Sequence, residues 1–235
     1  MTPDRTTARA LAREFITRGD ALGWFEALYQ RAAHDHSGVD IIPWADRTPN
    51  PHLVTWLDAH RGGRAGGRAL KVGCGLGDDA EELARRGYSV TAFDVSPTVI
   101  AWCRRRFPGS PVTYVCHDLL DPPAAWEGAF DLVVEAYTLQ VLPPELRPVA
   151  MARMAGCLAP DGLLLAICRG REPEDSEGLM PWPLMRREVE AFGALGLETV
   201  AFDDYVDNED PPVRRFRATF RRPLPARRQG REEDT

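Results

Sequence analysis

Three short segments carry residue types whose spacing suits the binding of a nucleoside. Val72-Gly73-Cys74-Gly75-Leu76-Gly77 follows an apolar run and leads into Asp78-Asp79. Glycines at such a strand-to-helix turn let the backbone approach a ligand closely and leave free amide groups at the helix start. The dinucleotide pattern G-x-G-x-x-G would need glycine at position 78, where Asp78 stands. An acidic pair at that helix mouth repels a pyrophosphate but tolerates a cationic or neutral ligand. Further on, Phe93-Asp94-Val95-Ser96 ends a second apolar run, placing a carboxylate where it can accept from both hydroxyls of a ribose. Asp118, followed by Leu119-Leu120, offers an acceptor for an adenine amino group beside apolar cover. Each piece has a plain structural alternative: a tight turn, a helix cap for Asp94, a turn residue for Asp118. In this order, the three describe a nucleoside site without a phosphate site.

The elements that must hold these residues follow from the pattern around them. From Ala69 short β-rich runs alternate with helical stretches, which predicts parallel strands joined by crossovers. Strands are expected at 69–74, 89–94, 112–118, 130–137 and 162–168, with helices at 78–86, 97–106, 124–126 and 144–158. After a loop at 170–183, Leu184 to Leu195 reads as a helix ended by Gly196. ETVAFDDYV and VRRFRATF then form two strands separated only by DNEDPP, short enough for an antiparallel hairpin. Ahead of the alternation, residues 6–36 read as two helices around Gly19-Asp20. A proline-rich loop then leads to a helix near 51–60, and paired glycines at 62–63 and 66–67 make a joint. The expected organisation is 1–61 as an N-terminal helical segment, 62–223 as an α/β domain, and 224–235 as a disordered polar tail.

Composition sets outer bounds. The chain has 235 residues, 44% hydrophobic and 27% charged, enough to bury a sizeable core. A formal charge of −6 argues against a dedicated nucleic-acid binder. The arginine runs at 104–106, 214–215 and 227–228 read as solvated faces. Five cysteines without a C-x-x-C pair read as reduced core residues. No metal is expected, because His34-x-His36 with Asp40 lacks a fourth ligand at useful spacing. No apolar stretch reaches the length of a membrane span and no secretory signal is evident, so the cytoplasm is the expected compartment, with no membrane partner. A monomer or homodimer is expected.

From Ala69 to Pro223 the chain resembles the class I S-adenosylmethionine (SAM)-dependent methyltransferases. The resemblance rests on VGCGLG, FDVSP, HDLL, FDLVVEAYTLQVL and LAPDGLLLAICRG. It implies a Rossmann-like, doubly wound seven-stranded sheet, mostly parallel with an antiparallel last strand, in agreement with the hairpin above. It implies SAM as cofactor, with S-adenosylhomocysteine (SAH) as product. Contacts to the cofactor are expected from Gly73, Cys74 and Gly75, from Asp94, Val95 and Ser96, from Asp118, Leu119 and Leu120, and from Glu135. The N-terminal part is similar to the thiopurine and thiol methyltransferase group: Trp24, Phe25 and Tyr29, then Pro43-Trp44-Ala45-Asp46, resemble its tryptophan-rich segment that folds over the cofactor. This implies a helical lid, with Trp44, and Trp24 as a weaker candidate, near the methionine end or the substrate.

One position departs from the family. Many class I enzymes carry an acid where Lys71 stands, and Lys71 is the only lysine among 29 Lys and Arg residues. Such an ammonium near a sulfonium is expected to snorkel outward, lose its proton or weaken cofactor binding. For the acceptor pocket the resemblance points to Tyr137, Thr138, Gln140, Trp44 and Asp46, with Arg169 and Trp182 beyond them. Asp46 is the first choice for a general base and Tyr137 for a hydrogen-bond partner. The expected function is methyl transfer to a small molecule, to sulfur first and to oxygen or nitrogen second. The alternatives are a non-catalytic SAM- or SAH-binding module and, third, a nicotinamide oxidoreductase.

Overall fold

A computed structural model describes residues 5–34, 38–60 and 66–225. His36, the glycine pair at 62–63, the arginines at 227–228 and most of the expected tail lie outside the described residues. The alternation from Ala69 becomes five parallel strands: β1 (Arg68–Val72), β2 (Ser89–Asp94), β3 (Thr113–Cys116), β4 (Phe130–Ala136) and β5 (Leu158–Arg171). A two-residue strand, β6 (Leu184–Met185), pairs with the end of β5. The hairpin forms as β7 (Glu198–Val206) and β8 (Arg214–Arg221). The sheet order is β3-β2-β1-β4-β5-β8-β7, with β8 antiparallel to both neighbours.

Alternation along each strand divides the core in two. On one face Leu70, Val133, Leu164, Ala166 and Phe216 pack against Ala150, Met151 and Met154 of α6 (Arg147–Cys157). On the other face Ala69, Val90, Leu132, Leu165 and Ile167 meet α3 (Pro51–Ala59), α4 (Asp78–Arg85) and α5 (Pro97–Arg106). Strands buried on both faces need apolar residues throughout, which is why these segments read as runs rather than alternations. A third cluster joins α1 (Thr6–Thr17) and α2 (Gly23–His34) to Leu76 and Val99 of the main body.

Three expectations change. The helix expected from Leu184 begins as β6 because Leu184 and Met185 pair with Gly170 and Arg171; α7 (Arg186–Glu190) and a 3-10 turn follow, and Gly196 ends it in the left-handed conformation. The arginine runs are not simply solvated. Arg106 holds Asp78 with both arms, at 2.8 and 2.9 Å, and Arg215 is 2% exposed. Cys116 is exposed, whereas the other four cysteines are buried. Among the described residues no helix is long and apolar enough to cross a membrane, and no cluster of His, Cys, Asp and Glu suits a metal.

Candidate functional site

The turn after β1 is built around Asp94. Cys74 N donates to Phe93 O at 2.9 Å, carrying the β1–β2 ladder into the loop. The chain then turns through Gly75 (φ +51°) and Gly77 (φ +93°). A Cβ on Gly77 would stand 2.7 Å from the Tyr114 hydroxyl, so both conformation and space require glycine there. Asp94, at the end of β2, accepts from Gly75 N at 3.0 Å with one oxygen and from Ser96 N at 3.1 Å with the other. A carboxylate has about four lone-pair positions, so acceptor capacity remains. Burial pushes the Asp94 carboxyl up, against the backbone hydrogen bonds and Lys71, which hold it down.

Behind this turn, Ser96 ties the N-terminal helices to the sheet. Its hydroxyl accepts from Val99 N as the cap of α5 and donates to Glu26 Oε2 at 2.5 Å. Thr98 Oγ1 donates to the other Glu26 oxygen at 2.7 Å. Burial alone would raise the Glu26 carboxyl, but Ser96, Thr98 and Gln30 together hold it below its ordinary value.

In front of the turn lies a cavity of about 990 Å³. Gly73, Cys74, Gly75, Asp94, Val95 and Leu119 line it, as do Trp44, Asp46 and Tyr137. Four residues expected to touch a cofactor are not on its wall. Ser96 is fully buried in the cap just described. Asp118 accepts from Leu120 N at 2.8 Å, bracing the turn that presents Leu119. Glu135 is fully buried, accepts from Thr138 N at 2.9 Å, and is pushed up to about 7, chiefly by burial.

The aromatic segment divides similarly. Trp44 Nε1 donates to the Tyr29 hydroxyl at 2.9 Å, and its ring edge would lie 3.8 Å from a Cβ placed on Gly75. Trp24, by contrast, is fully buried against Phe25 and Trp44, a core residue of the N-terminal helices. Trp182 is also away from the cavity; its backbone amide donates to Gln140 O at 2.7 Å.

Lys71 does not snorkel outward. It is 2% exposed and donates to Val72 O at 2.9 Å, and its counter-ion is Asp79 at 3.6 Å. Asp79 also accepts from Asn50 N, so one carboxylate joins β1, α4 and the start of α3. The departure at position 71 is thus answered by an acid one turn into the sequence after the glycines.

The far end of the cavity comes from segments that sequence reasoning had not assigned to it: Arg5, Asn50, His52, Glu209 and Arg215. Arg215 pairs with Asp207 at 2.6 Å and with Glu209, and its guanidinium lies 5.1 Å from the centre of the Tyr137 ring. Tyr137 itself has φ +67° and is pushed up to about 12 by burial, against the pull of Arg215 and Asn50. Asp46 is raised by partial desolvation and by Glu209, with Arg5 opposing. The acidic DNEDPP loop followed by two arginines was the available signal that this hairpin carries internal ion pairs.

Comparison with known proteins agrees with this arrangement. A methyltransferase-domain family matches residues 69–162. A probable thiol methyltransferase 2 of Arabidopsis thaliana is 28% identical over 206 residues, which span 86% of this chain and 84% of that protein. A ubiquinone biosynthesis O-methyltransferase of Acinetobacter baylyi is 50% identical over 71 residues, but these are only 30% of this chain and 28% of the relative. The Burkholderia thailandensis 1,6-didemethyltoxoflavin-N1-methyltransferase, solved with its substrate and SAH, superposes with a TM-score of 0.66 at 20% identity, over 90% of this chain and 89% of that one, a likeness of fold. With the glycine turn, the buried Asp94 and the sheet order already described, the matched domain supports reading this chain as a class I SAM-dependent methyltransferase.

Proposed function

We propose that the protein transfers the methyl group of SAM to a small sulfur acceptor, a thiol or thiolate. The observation that carries this reading is the Trp44 indole standing over Gly75, because it lays the N-terminal segment across the mouth of the glycine turn. The Arabidopsis relative, which aligns through that segment as well as the domain, is a probable thiol methyltransferase.

The residues present suit the cofactor. The turn exposes backbone at Gly73, Cys74 and Gly75, Asp94 retains acceptor capacity for a ribose, and Val95 and Leu119 offer apolar walls. Ser96, Asp118, Leu120 and Glu135 serve by holding those groups in place rather than by contact. When bound, SAM supplies a methyl group already activated by its sulfonium. What remains for the chain is to align the acceptor, exclude water and take up a proton. Trp44 and Tyr29 shield the turn from solvent. Tyr137 stays protonated at neutral pH, so it donates a hydrogen bond and does not act as a base. Asp46, exposed at the rim, passes the acceptor's proton to water. A thiol ionises close enough to neutrality that no stronger base is required.

Incubation of the full chain with methyl-labelled SAM and two acceptor sets, thiophenol with hydrogen sulfide and phenol with aniline, tests the reading by mass spectrometry. Labelled thioethers or methanethiol are expected. Transfer to phenol or aniline alone moves the function to oxygen or nitrogen. SAH binding with no transfer to either set leaves a non-catalytic module.

A further inference from the structure

Where β5 meets β8, the register sets Arg169 directly opposite Arg215. Facing residues of an antiparallel pair share one side of the sheet, and like charges there repel. Arg215 is compensated by Asp207 and Glu209. Arg169 is not. It is half-buried on the cavity wall, and its guanidinium makes no hydrogen bond or ion pair with any described residue. After burial, the influences that act on it most strongly are the like charges of Arg5 and Arg215, with Glu209 weaker. Arg5, on the same wall, likewise lacks a carboxylate at ion-pair distance among the described residues.

The backbone of this strand end is anchored. Arg169 N donates to Gln140 Oε1 at 2.7 Å, and Gln140 O accepts from Trp182 N. A desolvated guanidinium beside like charges is unfavourable unless an anion meets it, and a carboxylate does so with two parallel hydrogen bonds. Its place in the sheet is informative too. Asp94 ends β2, the glycines follow β1, Tyr137 follows β4 and Arg169 lies on β5, in that spatial order. At about 4.8 Å per strand the arginine stands roughly 14 Å from Asp94, past Tyr137 on the side away from the nucleoside end.

We propose that Arg169, together with Arg5, forms a carboxylate-binding subsite that selects an anionic methyl acceptor. The proposal rests on the small-molecule methyltransferase reading and refines its substrate class. The other carboxylate available to these arginines is that of the cofactor's own methionine portion, and the test separates the two.

Benzoate and its neutral counterpart benzamide are titrated by calorimetry into the full chain, with and without saturating SAH, at low salt. Benzoate is expected to bind more tightly than benzamide. Arg169→Gln should weaken benzoate at least tenfold and Arg169→Lys less, with benzamide unchanged and SAH affinity within twofold of the unaltered chain. Removing an uncompensated charge should also raise the melting temperature of the ligand-free Arg169→Gln protein, whereas a purely structural arginine would lower it. Equal benzoate affinity in the unaltered and Gln proteins, or no preference for benzoate over benzamide, overturns the proposal. So does a tenfold loss of SAH binding in Arg169→Gln, which assigns the arginine to the cofactor. Arg169-dependent benzoate binding in a chain that methylates no thiol would fell the sulfur reading alone.

Discussion

Asp94 and Glu135 are both buried carboxylates at strand ends, yet only Asp94 faces the cavity. Asp94→Asn keeps the volume but turns one acceptor into a donor beside Gly75 N and Ser96 N. SAH affinity should fall at least tenfold in an isothermal titration, with a modest loss of stability. Glu135 acts on stability instead. Its acid form is favoured in the folded chain, with a value of about 7 against an ordinary 4.5. The associated stability is therefore complete below about pH 4.5 and is lost as pH rises through about 7, at a cost on the order of 3 kcal/mol. Glu135→Gln retains an acceptor for Thr138 N without the charge. It should melt at the same temperature as the unaltered chain near pH 4.5 and several degrees higher at pH 8. The types of both residues could be read from the sequence. Which of them lines the cavity could not, since that depends on how the strand ends pack, which leaves Glu135 fully buried.

Strand β1, helix α4 and the start of helix α3 meet at Lys71 and Asp79. Removing one partner of a buried pair leaves the other uncompensated, and the more buried member suffers more. Asp79→Asn, which strands an ammonium only 2% exposed, should destabilise by about 3 kcal/mol, and Lys71→Met by less. The double variant should recover most of the loss in urea unfolding, because the two changes act on one interaction. Elements such as β2 and α5 were legible to the residue, since apolar runs, a Ser-Pro cap and glycine turns are local signals. Strand β6 was not, because two residues become a strand only when the end of β5 lies alongside. The Arg169–Arg215 opposition was hidden for the same reason, since it exists only after distant segments are brought together, and the Lys71–Asp79 pair depends on how the glycine turn folds α4 back beside β1.

Besides their apolar contacts, the N-terminal helices reach the main body through the Glu26 carboxylate. Glu26 accepts from Ser96 and Thr98, two residues that open α5 immediately after Asp94. Attachment of these helices and placement of the cavity-lining Asp94 thus share a node. Glu26→Ala should lower the melting temperature by a few degrees, and SAH should recover part of the difference, because a ligand that needs the assembled form stabilises it by mass action. If SAH shifts both proteins equally in a thermal scan, the helices and the nucleoside end are independent.

Strand β8 is the last of the described strands along the chain, yet it lies inside the sheet, between β5 and β7. A ribosome delivers β7 first, at a moment when the place beside β5 must stay empty. Until Arg214 to Arg221 emerge, β5 presents an unpaired edge rich in leucine and isoleucine, the kind of surface that invites pairing with other chains. The arginine opposition at the cavity therefore forms late, and a nascent chain can hold its glycine turn and Asp94 in place well before the end of the cavity built by Arg215 exists.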